Sequence, residues 1–291
     1  MPAPSSRRIP LATGLRYHVL EWGAEDPALD HTVVLLHGFL DIAWSWQATA
    51  EAGLAGQFHV VAPDLRGHGD SDRVGAGGYY YFPDYLADLH ALVPLVARRR
   101  LSLVGHSMGG SVASYYAGTY PDKVHRLALL EGTGPPETAP PGPDRIRAWL
   151  SACQKVRERA HRGYGSVEEA AARLQANDAL LDPELARALA ERGTIRGPDG
   201  RLRFKHDPLH ATPGPFGFQL EVAERFWRAI TCPVLLVEGA ESAFRHAAAE
   251  AARRAARFAH AQSVTLPGAG HMMQRHQPAA LAQLLAQFLA G

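Results

Sequence analysis

The sequence predicts an α/β fold: a mostly parallel central sheet with helices on both faces and an inserted all-helical cap. Short apolar runs rich in Val and Leu alternate with helical patterns along most of the chain. These runs lack the alternation of half-buried strands, which indicates strands buried on both faces. One interval carries helix signals and no convincing strand. At 291 residues, 46% of them hydrophobic, the chain is long enough for one large domain with a smaller insertion.

The strands and helices of the predicted sheet domain follow one another in chain order. The first ten residues are expected to form a loose tail, and residues 15–22 alternate like an edge strand. Buried strands are predicted at residues 32–36, 58–62, 101–104, 126–130, 234–237 and 263–266. Helices are predicted at residues 85–97, 111–120, 244–259 and 278–289.

The predicted cap comprises residues 135–228, and the predicted core comprises residues 1–134 and 229–291. Within the cap, Ser166 and Glu169 form a capping box, and Asp182 begins a helix that Gly193 ends. Amphipathic patterns span residues 145–159 and 219–230. Because this insertion leaves the sheet after a parallel strand, we expect it to lie over the carboxyl ends of the strands, where open α/β sheets bind ligands.

The segment Gly105-His106-Ser107-Met108-Gly109 stands between a predicted strand and a predicted helix. A G-x-S-x-G string is weak evidence by itself, but at a strand-to-helix turn the small residues let helix and strand approach closely. The serine hydroxyl is then held above the sheet edge, and the Met108 N–H points to where an oxyanion would form. Ser107 is therefore a candidate nucleophile.

A serine hydroxyl needs a base to take its proton, and His271 is the predicted base. It follows the last predicted strand in a Gly-rich turn at the same sheet edge as Ser107, whereas His276 on the final helix is a weaker alternative. Gly38 and Phe39 follow another strand at that edge, so the Phe39 N–H is the predicted second oxyanion donor.

The loop of residues 64–71 gathers polar side chains after a predicted strand. We interpret it as a hydrogen-bonded turn that braces neighbouring loops. Catalysis by Asp64 or His68 is the alternative.

Taken together, these motifs resemble the α/β-hydrolase superfamily over nearly the whole chain. The matching motifs are HGF at His37, DLRGHGDS from Asp64, GHSMGG from Gly105 and GAGH from Gly268. The resemblance implies a Ser107 nucleophile, a His271 base, an oxyanion hole formed by the Phe39 and Met108 amides, and neither cofactor nor metal.

The third catalytic residue departs from the common pattern of that superfamily. Most members have an aspartate at the position that Ser242 occupies here, and a serine cannot stabilise an imidazolium as a carboxylate does. Glu131, which follows the strand after the nucleophile helix, is the predicted acid, and this placement resembles a subset of haloalkane dehalogenases. Glu241 and Glu238 are the alternatives.

These residues favour hydrolysis of a carboxylic ester through an acyl-enzyme on Ser107. A serine at this position argues against epoxide hydrolase and haloalkane dehalogenase chemistry, which needs a carboxylate nucleophile. A lactonase, thioesterase, carbon–carbon bond hydrolase or cofactor-free perhydrolase remains open. Outside enzymes, a ligand receptor or interaction module on the same fold is the alternative.

Aromatic residues near the predicted opening favour a small or medium, mostly apolar ester or acyl substrate. The candidate pocket residues are Gly38, His106, Trp44, Trp149, Trp227 and Met272.

Composition limits the other partners. A net charge of +1 gives no field that would favour nucleic acid or an anionic membrane. Two cysteines, neither in a CxxC, predict no disulfide framework and a reducing cytoplasm. No apolar run follows Arg7 and Arg8, so we expect neither a signal peptide nor a membrane anchor. The oligomeric state cannot be predicted from these patterns.

Overall fold

The structure, a computed structural model, describes residues 3–138, 142–158 and 163–291. Most of its strands form one eight-stranded sheet, and two pair separately. The strands are β1 (Ser5–Pro10), β2 (Arg16–Trp22), β3 (His31–Leu36), β4 (His59–Pro63), β5 (Arg100–His106), β6 (Arg126–Leu130), β7 (Thr194–Arg196), β8 (Leu202–Phe204), β9 (Val234–Gly239) and β10 (Ala261–Leu266). The large sheet has the order β1-β2-β4-β3-β5-β6-β9-β10. Only its β1–β2 and β2–β4 pairs are antiparallel.

The helices of the described residues lie between these strands. They are α1 (Gln47–Thr49), α2 (Phe82–Val96), α3 (Met108–Thr119), α4 (Pro143–Glu158), α5 (Val167–Asn177), α6 (Pro183–Gly193), α7 (Leu220–Ala229), α8 (Ala248–Ala255), α9 (Met273–His276) and α10 (Pro278–Ala290). Residues 43–46 and 208–211 form 3-10 turns, and residues 50–54 form a π turn. None of these helices combines the length and apolar character that a bilayer crossing requires.

The parallel strands are buried on both faces, as their continuous apolar runs predict. In β3, Val34 and Leu36 belong to the core cluster under α2, α3 and α7, whereas Val33 and Leu35 belong to the cluster under α10. All of these side chains have 0% exposure. Successive strand residues point to opposite faces, so each strand helps to build both cores. The predicted α/β class with a mostly parallel sheet is confirmed.

Two expectations at the N-terminus are wrong. Residues 5–10 are not a loose tail, because they form β1, which pairs antiparallel with β2. For the same reason the strand predicted at 15–22 is not an edge strand. Ile9 is buried in the core, and Arg7 Nε donates to Glu21 Oε2 at 2.8 Å. The segment is mostly polar, so its pairing carried no periodic signal. Met1 and Pro2 lie outside the described residues.

The insertion between β6 and β9 is not all-helical, since β7 and β8 form an antiparallel hairpin. A Gly-Pro-Asp-Gly turn at residues 197–200 joins them, and Asp199 accepts a hydrogen bond from Arg203 at 2.7 Å. Strands of three residues are too short for an alternating pattern. The predicted helix at 145–159 is α4, which ends at Glu158, and Arg159 lies outside the described residues.

Helix α7 lies in the predicted cap by sequence but packs on α3 in the main core. Leu220, Ala223 and Trp227 belong to the same core cluster as Val112 and Ala113. Helices α5 and α6, in contrast, form a separate small cluster of alanines and leucines. The inserted segment therefore has its own core before its chain returns to the sheet domain through α7.

The helix predicted at 244–259 begins later than expected, at Ala248, and ends at Ala255. Phe244 and Arg245 lie instead in the loop between β9 and α8, which we call the 240–247 loop. In this loop the Phe244 N–H donates to Ser242 Oγ at 3.1 Å, where the predicted helix would have formed its first turn.

A buried ion pair ties the sheet to α2. Arg66 Nε donates to Asp88 Oδ2 at 2.6 Å, and Asp88 also accepts from the Tyr17 and Thr13 hydroxyls, each at 2.6 Å. The Asp88 side chain is completely buried. Arg66 Nη1 also pairs with the partly exposed Asp84 at 3.0 Å, so loss of the Asp88 charge would leave the buried guanidinium with a more solvated carboxylate partner.

Replacing Asp88 by Asn should therefore lower the free energy of unfolding by about 1.5–3 kcal/mol, because the hydrogen bonds to a charged group are weakened. Urea denaturation followed by circular dichroism measures this change. Glu221→Gln is the matched control, because its pair with Arg225 is exposed and screened by water. Equal, small shifts in both variants would contradict a stabilising role for the buried pair.

Candidate active site

Ser107 lies in a tight turn between β5, which ends at His106, and α3, which begins at Met108. Its backbone has φ 51° and ψ −117°, outside the regions that a non-glycine residue normally adopts. The helix comes so close to the sheet that a Cβ at Gly109 would lie 2.4 Å from the Leu36 carbonyl oxygen. Glycine is thus required there, and the turn projects Ser107 above the sheet edge.

Backbone strain is concentrated around this turn. Among the described residues, the only non-glycine residues with positive φ are Leu40, Ser107 and Glu131, at 57°, 51° and 44°. Leu40 follows the HGF turn after β3, and Glu131 directly follows β6. Such conformations cost free energy and persist where the surrounding structure imposes them, which is common at functional sites.

His271 and Glu131 are joined by a short hydrogen bond, with His271 Nδ1 2.6 Å from Glu131 Oε2. The carboxylate also accepts from the Gly239 N–H at 3.0 Å and from the Ser242 hydroxyl at 2.8 Å. Burial would raise the pKa of Glu131, but these three hydrogen bonds outweigh burial and lower that pKa below its usual value. Glu131 is therefore ionised at neutral pH.

The contact with Glu131 determines the tautomer of His271. An ionised carboxylate only accepts hydrogen bonds, so His271 Nδ1 carries the proton and donates it. The lone pair of the neutral ring is then on Nε2, the nitrogen available to act as a base.

The other candidate acids and the rival histidine make other contacts. Glu238 contacts Arg245, with Nε 3.4 Å from Oε2, and Glu241 is exposed. His276 Nδ1 accepts from the Gly270 N–H at 3.0 Å, and its Nε2 donates to Asp178 at 2.8 Å. Both ring nitrogens of His276 are thus occupied, which leaves it no free lone pair.

The two predicted oxyanion donors flank Ser107. Met108 is the first residue of α3, and the first four N–H groups of a helix have no partner within it. Phe39 follows Gly38, where a Cβ would lie 2.7 Å from His106 Nδ1 and 3.2 Å from the Ser107 Cβ. Glycine at position 38 thus allows the 38–39 backbone to approach the serine.

His106 supports the loop that carries the predicted base. Its Nε2 donates to the His271 carbonyl oxygen at 2.8 Å, and the two rings are 4.7 Å apart. Burial, assisted by the neighbouring His271, lowers the pKa of His106 to about 3. His106 is therefore neutral at physiological pH.

Ser107, Glu131 and His271 all line one cavity of about 1340 Å³. Phe39, Met108, His106 and Met272 line it too, and the remaining walls are mostly apolar. The cavity has further lining residues that were not among the predicted pocket residues. They include Tyr80, Tyr81, Phe82, Tyr115, Phe244 and Arg245. The aromatic run at 79–82, placed after a parallel strand and before a helix, was a signal that could have identified this wall.

The three tryptophans predicted as pocket residues do not line this cavity, so that prediction is wrong. The Arg192 guanidinium carbon lies 4.0 Å from the centre of the Trp44 ring. Trp149 contacts Tyr79. Trp227 is buried in the core, where its Nε1 donates to Ser114 Oγ at 3.2 Å. Large aromatic side chains fill cores as readily as pockets, and only tertiary packing separates the two. Gly38 approaches Ser107 without being part of the cavity wall.

The polar loop after β4 braces its neighbours. Asp64 accepts from the Ala43 and Asp70 amides and lies 2.7 Å from His18 Nδ1. Potential ligand atoms of His18, Asp64 and Asp70 lie within 4.8 Å of one another. However, His18 Nε2 contacts Ser6 Oγ at 2.9 Å, and Asp70 pairs with Lys205. These groups already satisfy one another, and none of them lines the cavity.

Comparisons with known proteins agree with this arrangement. The alpha/beta hydrolase family matches residues 33–284. The chain is 33% identical over 291 residues to the 3-hydroxybutyrate-oligomer hydrolase of Cupriavidus necator, covering 95% of this chain and 93% of that protein. A serine hydrolase-like protein of Danio rerio is 33% identical over 211 residues, covering 70% of this chain and 62% of that protein.

Among solved structures, the thioesterase domain from the curacin biosynthetic pathway superimposes with a TM-score of 0.82 at 27% identity. The superposition covers 98% of this chain and 99% of that domain. The sheet order, the strained serine turn and the family match lead to one conclusion. The chain belongs to the alpha/beta hydrolase family.

Proposed function

We propose that this hydrolase cleaves carboxylic esters through an acyl-enzyme on Ser107. The observation that carries the proposal is the 2.6 Å hydrogen bond from His271 Nδ1 to Glu131, in the same cavity as a serine on a strained turn. A base oriented by an ionised carboxylate is what a serine hydroxyl needs to become nucleophilic.

In the proposed mechanism, His271 Nε2 takes the proton of Ser107 while Oγ attacks the ester carbonyl carbon. The Phe39 and Met108 amides stabilise the negative charge on the carbonyl oxygen. His271 then gives its proton to the departing alcohol, and Glu131 stabilises the intervening imidazolium. Water, deprotonated by His271, attacks the acyl-enzyme in the second half, which releases the acid and restores the Ser107 hydroxyl.

The cavity supports a substrate that is largely apolar. Several large apolar side chains of its wall are exposed, including Phe39 at 49%, Phe216 at 66% and Phe244 at 71%. Exposed aromatic surface of this kind is unusual unless it contacts a ligand. We further propose that the inserted segment from residue 135 up to α7 is a cap, since Pro135, Pro136 and Phe216 contribute to the cavity wall.

The relative from Cupriavidus necator, named for 3-hydroxybutyrate oligomers, supports short-chain oligoesters as the substrate class. Such oligomers are esters of small hydroxy acids, and a mostly apolar cavity of about 1340 Å³ is large enough for several such units.

Thioester hydrolysis is the second candidate, because the curacin-pathway thioesterase domain superimposes over 98% of this chain. The same serine, histidine and oxyanion donors would serve it. Comparing kcat/KM for butanoyl esters of an alcohol and of the corresponding thiol separates these two activities.

Ser107→Ala should lower kcat on p-nitrophenyl butanoate by about 10⁴-fold or more, since the attacking oxygen is lost. Labelling by a fluorophosphonate probe, detected on a gel, gives an independent readout. The wild-type protein should be labelled and the variant should not. An Ala variant with wild-type turnover would exclude Ser107 as the nucleophile.

Glu131→Gln should lower the acylation rate about 10⁴-fold, because a neutral amide cannot stabilise the His271 imidazolium. Glu241→Gln is the matched control and should acylate at the wild-type rate, measured as the burst of p-nitrophenol. If instead only Glu241→Gln loses acylation, Glu241 is the acid.

Adding Ser242→Asp to Glu131→Gln should restore part of the lost rate, since Ser242 Oγ lies 2.8 Å from the carboxylate oxygen that contacts His271. The carboxylate that contacts His271 would then come from the loop after β9 instead of from the end of β6. A double variant no faster than Glu131→Gln would show that only a carboxylate following β6, at position 131, can orient His271.

A further inference from the structure

We infer that Arg245 forms a carboxylate-binding subsite, so that the preferred substrate is an ester whose alcohol half carries a carboxylate. This inference rests on the proposed ester hydrolysis and adds to it a substrate class and a specificity residue. It follows from the position of Arg245 in the cavity wall, its incomplete hydrogen bonding and its place next to Phe244, whose ring packs on His271.

Arg245 is the only lysine or arginine among the described residues that line the active-site cavity. The other cationic candidates there are histidines with assigned contacts. His106 is neutral, His271 donates to Glu131, and His246 donates from Nε2 to the Gly134 carbonyl oxygen at 3.0 Å. Arg245 therefore places a permanent positive charge at a mostly apolar wall, where water reaches it and Glu238 is its one carboxylate partner among the described residues.

The guanidinium of Arg245 is only partly engaged. Its Nε lies 3.4 Å from Glu238 Oε2, and its Nη1 lies 3.5 Å from the Ala240 carbonyl oxygen. Both contacts are long, and Nη2 has no hydrogen-bond partner among the described residues. Glu238 therefore holds one edge of the guanidinium at the cavity wall, and the other edge retains donors that match a carboxylate.

The proposed mechanism relates Arg245 to the alcohol half of the substrate through its neighbour Phe244. The adjacent Phe244 packs its ring 4.5 Å from the His271 ring. In ester hydrolysis the histidine gives its proton to the departing alkoxide, so the alcohol half of the substrate lies against His271. A carboxylate a few bonds beyond the ester oxygen would then approach the 240–247 loop and Arg245.

Two probes test this assignment. The first is 3-(butanoyloxy)butanoate, which water converts into butanoate and 3-hydroxybutanoate by cleavage of the acyl C–O bond, with release of one proton. The second is 3-(butanoyloxy)butanamide, its neutral counterpart. The proteins are the wild type, Arg245→Gln, Arg245→Lys and the control Arg225→Gln, whose arginine pairs with Glu221 on the surface of α7.

We expect the wild type to prefer the carboxylate probe by about tenfold or more in kcat/KM, mainly through KM. Arg245→Gln should abolish this preference, Arg245→Lys should keep part of it, and Arg225→Gln should keep all of it. An Arg245→Gln protein that turns over both probes with the wild-type ratio would overturn the inference.

The proposed function has a separate readout. If the wild type hydrolyses neither probe nor p-nitrophenyl butanoate, ester hydrolysis fails, and calorimetric titration of the two probes into Ser107→Ala decides the role of Arg245. Tighter binding of the carboxylate probe that Arg245→Gln removes supports the subsite. Equal binding of the two probes overturns it.

Discussion

The close approach of α3 to the central sheet is the constraint on which the rest of the site depends. A Cβ at Gly109 would lie 2.4 Å from the Leu36 carbonyl oxygen, so only glycine allows this approach, and the chain turns from strand to helix at Ser107. In the proposed mechanism, the Met108 N–H at the start of α3 stabilises the oxyanion that forms at the serine. Every other group of the site must reach this point, which explains why they all follow the carboxyl ends of strands.

The charge of the site depends on the protein groups that donate hydrogen bonds to the buried Glu131 carboxylate. Glu131 receives three hydrogen bonds, from a ring nitrogen, a backbone amide and a hydroxyl, and these offset the cost of burying its charge. Ser242, at the position where related hydrolases usually place the acid, is one of these donors. Glu131 and the hydroxyl that supports it thus follow the neighbouring strands β6 and β9, and their contact joins the ends of these strands at the sheet edge.

The 240–247 loop connects this charge network to the cavity wall. Ser242 contacts Glu131, Phe244 covers His271, and Arg245 contributes to the wall, all within four residues. A change in the loop would therefore alter both the support of the acid and the shape of the pocket. In our proposals, catalysis and substrate selection share this one short segment.

The sequence by itself determined the α/β class, most of the parallel strands, and the common sheet edge of Ser107, His271 and Glu131. Burial on both faces and the order of strands and loops are local properties of the chain, so they can be read from it. Only the tertiary structure decided the pairing of β1, the β7–β8 hairpin and the late start of α8. It also decided that Phe244 and Arg245, and not Trp227, face the cavity. Pairing partners and cavity walls depend on residues distant in the chain, and apolar or polar character alone does not specify which neighbour a side chain meets.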